Sequence, residues 1–163
     1  MLPLYNHILV PTDFSANADQ AFRHAVLLAR LHDAKIHLVH VIQQVDPSMR
    51  NFVSSVIGAD RLAEYETNNL NLARSELKNQ LDAFIRRELE KAPQDQKHFA
   101  EAIVTMGHPV EKILAEAQRL AADVIVMGTH GRGMLEHALL GSVTEKILRK
   151  ARRPVFVIPL PDR

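Results

Sequence analysis

The sequence predicts an α/β protein with an open, mainly parallel sheet and helices on both faces. Five short apolar runs alternate with helical patterns in the order β-α-β-α-β-α-β-α-β, and such alternation is typical of parallel sheets with right-handed crossovers. The runs ILV, VIVM and VFVI are nearly continuous in apolar residues, as in strands that are buried on both faces. We therefore expect a single domain over residues 1–163, with its core at about 5–160.

Short apolar runs mark the five expected strands. Most are rich in Val and Ile, which favour strands. The third run alternates more than the others, so we expect it at an edge of the sheet. The runs are HILVP at 7–11, KIHLVHVI at 35–42, FAEAIVTM at 99–106, DVIVMG at 123–128 and PVFVIPL at 154–160.

Four helical patterns lie between these strands. Residues 16–32 place apolar residues three and four positions apart, with Ser15 as the expected N-cap. The longest pattern covers residues 59–91, and a third helix is expected to begin at Pro109. The fourth begins after Gly141. Residues 43–58 fit neither period, so we expect a functional or mobile loop there.

Composition excludes several classes of function. The chain has no cysteine, which excludes disulfides and thiolate chemistry. Its formal net charge is +1, so nucleic acid is not an expected partner. No apolar run approaches the length of a membrane span, and the N-terminus lacks the features of a signal peptide. We therefore expect a cytoplasmic protein without membrane insertion.

Four of the six glycines fall within residues 127–147. Three of them have the spacing Gly128-x2-Gly131-x9-Gly141, and Ser142 follows directly. A helix start next to small residues suits a phosphate, because its free amides and partial positive charge attract anions. The alternative is structural: the glycines form turns, and residues 142–145 form a capping box in which Ser142 is the N-cap. Spacing alone leaves both interpretations open.

The end of the first strand is expected to approach this glycine segment. In an open parallel sheet, ligands bind at the carboxyl ends of strands near the point where strand order reverses. Pro11, Thr12 and Asp13 follow the first strand, and Asp13 could accept from a ribose hydroxyl or hold a divalent ion. The segment is not a Walker A loop, and it does not have the position of the dinucleotide fingerprint. If the segment binds a phosphate, it therefore does so as a different type of site.

The sequence resembles the universal stress protein (UspA-like) family in its ATP-binding branch. The resemblance runs from about residue 6 to residue 160, and the spacing Gly-x2-Gly-x9-Gly-Ser/Thr is that family's nucleotide signature. It implies a Rossmann-like fold, similar to the adenine nucleotide alpha hydrolases, with strand order 3-2-1-4-5. The segments that carry it are HILVPTDFS at 7–15, HLVHV at 37–41, DVIVMGTHGRG at 123–133, LLGSVTEKIL at 139–148 and RPVFVIP at 153–159.

The resemblance also implies a set of ligand-binding residues. ATP, or ADP or AMP, would be bound together with Mg²⁺ or Mn²⁺. One group of residues would lie beside the nucleoside, and Asp13 is the candidate metal ligand in that group. A second group would border or cradle the phosphates. The first group is Pro11, Thr12, Asp13, Val41, Met127 and Gly128, and the second is His130, Gly131, Arg132, Gly141, Ser142, Val143 and Thr144.

The functional expectation is an ATP-binding stress protein that acts as a nucleotide-dependent sensor or regulator. The sequence assigns no catalytic residue, so we expect at most slow ATP hydrolysis. Family members commonly dimerise through the last strand, here residues 155–160, and the resemblance implies a homodimer of that kind. The alternative is a protein-interaction module of the same fold that binds no nucleotide.

Overall fold

The five strands form one parallel sheet, which confirms the predicted fold class; numbered along the chain, they lie in the order 3-2-1-4-5, so the third strand is at an edge. A computed structural model describes residues 2–90, 92–131 and 140–160, without the side chains at 88 and 89. Predicted and observed strand bounds differ by at most two residues. The strands are β1 (His7–Pro11), β2 (Lys35–Gln43), β3 (Phe99–Gly107), β4 (Val124–Gly128) and β5 (Val155–Ile158).

Helices cover both faces of the sheet. Ile8 and Val10 of β1 face one apolar cluster with the first and third helices, whereas Leu9 faces a second cluster with the last two helices. This alternation along a single strand is the two-residue period of a pleated sheet. The helices are α1 (Ala16–His32), α2 (Pro47–Ile57), α3 (Ala59–Leu89), α4 (Pro109–Arg119) and α5 (Ser142–Lys150), with a 3-10 helix at Pro93–His98.

The expectation of an irregular loop at 43–58 is wrong, because most of that segment is the helix α2. Asp46 caps α2 by accepting from the Ser48 amide at 2.8 Å, and Pro47 occupies its first turn. No residue of α2 is buried. Arg50 binds Glu66 of α3 with its Nε 2.7 Å from Oε1. The segment is therefore a surface helix that lies on α3 instead of in the core.

The predicted capping box at the start of α5 is also wrong. Gly141 is the N-cap, and no side chain caps this helix. Glu145 pairs with Arg149 at 2.7 Å instead of bonding back to Ser142. The corresponding prediction for α1 is confirmed, since the Ser15 hydroxyl accepts from the Ala18 amide at 3.1 Å. Within the described part of the chain, no side chain therefore caps the amides at the start of α5.

His37 is a buried titratable group at the opposite end of the sheet from the glycine segment. Its Nε2 lies 3.1 Å from Nδ1 of His7, and its Nδ1 lies 3.2 Å from Oε1 of Glu101. The residue is 6% exposed. Burial lowers the pKa of His37 from its usual value, although Glu101 opposes that shift. The folded protein therefore favours the neutral imidazole.

This burial predicts a loss of stability in weak acid. The unfolded chain takes up a proton at His37 below about pH 6.5, whereas the folded protein does so only at lower pH. The contribution of His37 to the free energy of unfolding is fully present above that pH. It falls by at most about 1.4 kcal/mol per pH unit as the pH drops toward the folded-state pKa. Urea unfolding from pH 7 to pH 5.5 measures this slope. His37→Gln should flatten the slope, and the exposed His24→Gln should not; equal slopes in both variants would contradict the assignment.

Candidate functional site

A cleft of about 420 Å³ opens at the carboxyl ends of β1, β2 and β4. It lies where strand order reverses. From β1 the sheet extends through β2 and β3 on one side, and the chain then returns to add β4 and β5 on the other side. Of the predicted site residues, all except Arg132 line this cleft. Arg132 lies outside the described residues. Clefts at this position of an open α/β sheet are the usual place for ligands.

The loop between β1 and α1 forms one wall of the cleft. Asp13 Oδ1 accepts from the Ser15 amide at 3.0 Å, and the Thr12 hydroxyl accepts from the Phe14 amide at 3.1 Å. Phe14 has a φ of 61°, a left-handed conformation that is strained for a bulky residue. Its ring lies 4.5 Å from that of His40, whose Nδ1 donates to the Thr12 carbonyl at 2.8 Å. These contacts hold Asp13 at the mouth of the cleft.

The three glycines of the signature lie close to other atoms of the protein. A Cβ on Gly128 would lie 2.5 Å from Oδ1 of Asn17, and one on Gly131 would collide with the carboxylate of Asp13. A Cβ on Gly141 would lie 3.2 Å from Cα of His130. None of the three has the left-handed φ that favours glycine. The absence of side chains thus lets the loop, α1 and α5 pack closely around the cleft.

Asn17 holds the glycine segment in place, and sequence reasoning missed it. It is 2% exposed in the first turn of α1. Its Oδ1 accepts from the His130 amide and from the Thr129 hydroxyl, each at 3.0 Å. Its Nδ2 donates to the Ile158 carbonyl of β5 at 2.9 Å. The available signal was a polar residue next to the apolar face of the helix at 16–32.

The start of α5 presents backbone amides along the cleft. The first intrahelical bond runs from the Glu145 amide to the Gly141 carbonyl at 2.9 Å. The amides of residues 142–144 precede that bond and have no helical acceptor. The Thr144 hydroxyl donates to the Gly128 carbonyl at 2.9 Å, so it is engaged in the fold, whereas Ser142 is exposed. This set of donors suits an anion.

Metal-ligating residues do not cluster in the part of the chain that the structure describes. No group of three or more His, Asp or Glu side chains there could hold an ion. Asp13 is a carboxylate in the lining of the cleft. Among the described helices, none combines the length and apolar character needed to cross a membrane.

Comparison with known sequences gives a consistent family match. The model of the universal stress protein family matches residues 4–159. Universal stress protein MJ0577 from Methanocaldococcus jannaschii is 35% identical over 162 residues, which are 97% of each chain. Universal stress protein YxiE from Bacillus subtilis is 28% identical over 155 residues, covering 95% of this chain and 99% of its own.

Solved structures of similar proteins share the fold. The structure of MJ0577 aligns with a TM-score of 0.74 at 31% identity, over 99% of this chain and 100% of its own. A universal stress protein in complex with cAMP aligns at 0.61 and 18% identity, over 96% and 98%. The universal stress protein from Archaeoglobus fulgidus in complex with dAMP aligns at 0.54 and 22% identity, over 96% and 99%. At these lower identities the likeness shows the fold alone.

Proposed function

The chain belongs to the universal stress protein family, and from that membership and its cleft we propose that it is an ATP-binding regulator of a stress response. The observation that carries the proposal is the start of α5, where amides that have no helical acceptor line a cleft together with Gly128, Gly131 and Gly141. Two relatives of the same fold are described in complexes with the adenine nucleotides cAMP and dAMP. An adenine nucleotide is therefore the ligand class we favour.

The cleft fits such a ligand in size and in donor chemistry. Its volume of about 420 Å³ is within the range of small-molecule sites. The phosphates would lie on the amides of residues 142–144 and beside His130. The nucleoside would lie against Pro11–Asp13, Val41 and Met127. A contact between Arg132 and the phosphates, which the family resemblance implies, stays a prediction.

A divalent cation would enter with the nucleotide. Mg²⁺ and Mn²⁺ prefer oxygen ligands, and Asp13 is the carboxylate that the cleft offers. One of its oxygens already accepts from the Ser15 amide, so most ligands of the ion would come from phosphates and water. We propose at most slow hydrolysis, because fast phosphoryl transfer requires a residue that orients the attacking water.

Calorimetry with nucleotide-stripped protein tests this proposal. We expect saturable binding of ATP in the presence of Mg²⁺, with an increase in melting temperature. ADP and AMP should bind more weakly than ATP, because fewer phosphates reach the α5 amides. Adenosine serves as the control without phosphate. If ATP produced neither binding heat nor thermal stabilisation, the proposal would be wrong.

The remaining expectations from the sequence also stay proposals. β5 pairs only with β4 among the described strands, so residues 155–160 offer a free edge for a symmetric homodimer.

One observation favours the alternative of an interaction module: Met49, Phe52 and Val56 are exposed on α2. The cytoplasmic location stays a prediction.

A further inference from the structure

Hydrogen bonds fix the orientation of the Asn17 side-chain amide. The His130 amide N–H can only donate, so the Asn17 atom that faces it must be the oxygen. The Ile158 carbonyl can only accept, so the atom that faces it must be the nitrogen. Both contacts require the same orientation. Asn17 Oδ1 is therefore an acceptor for every group that contacts it.

This orientation fixes the direction of the next hydrogen bond. The Thr129 hydroxyl has one hydrogen and lies 3.0 Å from Asn17 Oδ1 and 2.9 Å from Nδ1 of His130. Because Asn17 Oδ1 cannot donate, the hydroxyl hydrogen must point toward it. The Thr129 oxygen then accepts from the His130 ring, which places a hydrogen on Nδ1. The neutral imidazole consequently has a lone pair, and no hydrogen, at Nε2.

We propose that His130 binds a nucleotide phosphate through Nε2 only as the doubly protonated imidazolium, and that Asn17 and Thr129 are the positioning residues that impose this requirement. The inference rests on the proposed ATP-binding function. A lone pair at Nε2 repels a phosphate oxygen, whereas an imidazolium N–H donates a charge-assisted hydrogen bond. His130 lines the cleft, and no described residue is a hydrogen-bond partner of its Nε2. Binding of the phosphates therefore takes up one proton.

Charged and titratable groups surround His130 from several elements. Asp13 in the β1–α1 loop and His40 of β2 line the same cleft. On α5, Glu145 is paired with Arg149. On α1, Asn17 is uncharged, and Asp19 lies one helical turn from the loop. The contribution of His130 to proton uptake must therefore be isolated by mutation, because a change of pH alone would also act on these other groups.

Calorimetry in two buffers of different ionisation enthalpy tests the inference. At about pH 8, ATP with Mg²⁺ should take up as much as one proton per site in the wild type. When the pH is raised by one further unit, the dissociation constant for ATP should rise by as much as tenfold, because the neutral ring must be protonated before it binds phosphate. His130→Gln should bind ATP more weakly and with no proton uptake from position 130.

Substitutions at Thr129 separate positioning from simple packing. Thr129→Val keeps the shape but removes the acceptor for Nδ1–H, so the neutral ring can place its hydrogen on Nε2 and donate to phosphate directly. Proton uptake should then decrease, while ATP binding above pH 8 improves relative to the wild type. Thr129→Ser keeps the hydroxyl and should restore the wild-type proton uptake. A role in packing alone would not produce this difference between valine and serine.

The tautomer itself can be measured by ¹⁵N NMR of the histidine rings in nucleotide-free protein. In its neutral form, the wild-type ring should carry its hydrogen on Nδ1, and Thr129→Val should not retain that preference. ATP binding with equal proton uptake in the wild type and His130→Gln, or a wild-type ring with its hydrogen on Nε2, would overturn the inference and leave the proposed function intact. Absence of ATP binding at every pH would overturn both.

Discussion

Replacing Gly141 by valine is expected to weaken ATP binding by about 100-fold or more, equivalent to at least about 2.7 kcal/mol. A Cβ at this position would lie 3.2 Å from Cα of His130 and 3.4 Å from the Thr129 carbonyl oxygen. The Gly141 amide donates to that same carbonyl at 2.7 Å, so movement of the loop away from a side chain would lengthen this bond. The bulkier valine would separate the loop from the start of α5 and disrupt the phosphate site.

The fold should survive this substitution. Gly141 has φ −74° and ψ 154°, values that valine adopts readily. Ala151 at the other end of α5 has φ −66° and ψ 136°, so Ala151→Val is a control of matched backbone conformation away from the cleft. Calorimetry measures ATP affinity, and thermal unfolding checks the fold. Affinity within threefold of the wild type in Gly141→Val would contradict the prediction. Loss of ATP binding with unchanged stress tolerance in cells would favour the interaction module.

Replacing Arg30 by alanine is expected to lower the free energy of unfolding by about 3 kcal/mol. Asp95 in the 3-10 helix is 2% exposed, and Arg30 of α1 donates to its Oδ2 from Nε at 2.7 Å and also from Nη2. Removal of the guanidinium leaves a buried carboxylate without its cation, which is more destabilising than loss of an exposed pair. Arg30 is 45% exposed, so water can replace part of the interaction, and we place the effect at the lower end of the range for buried pairs.

A double-mutant cycle separates the burial penalty from the pair itself. Arg30→Ala with Asp95→Ala removes both charges and should be less destabilising than Arg30→Ala alone. The control is the pair of Lys97 and Asp33, at 2.8 Å with both side chains largely exposed. Lys97→Ala should leave the denaturant midpoint unchanged, because surface ion pairs contribute little. An equal loss in the single and double variants would show that the buried carboxylate is not the cause.

Core elements were predictable because burial leaves a periodic trace in the sequence. The runs ILV and VIVM lie in strands that contact helices on both sides, so nearly every position had to be apolar. The helix at 16–32 was predicted to the residue, since its apolar spacing and the Ser15 cap agreed. Strand order could not be derived from these patterns and came from the family resemblance.

Surface and polar features were harder to predict. α2 carried start signals in Asp46 and Pro47, but most of its apolar residues are exposed, so they do not form a core-facing pattern. The error at Ser142 has a local cause: Gly141 already occupies the N-cap, so the serine side chain has no amide to cap. Asn17 could not be identified from spacing, because its partners Thr129 and Ile158 are more than a hundred residues away.

The close packing around Gly128, Gly131 and Gly141 has a consequence for how such sequences are compared. A Cβ at each of these positions would meet the protein's own atoms, so the glycine spacing reports whether a chain can assemble the turn. It does not indicate which phosphate ester binds in the cleft. Comparisons of ligand preference among homologues should therefore use positions such as 41, 43 and 130, which line the cleft. The glycines indicate only whether the fold of the site is present.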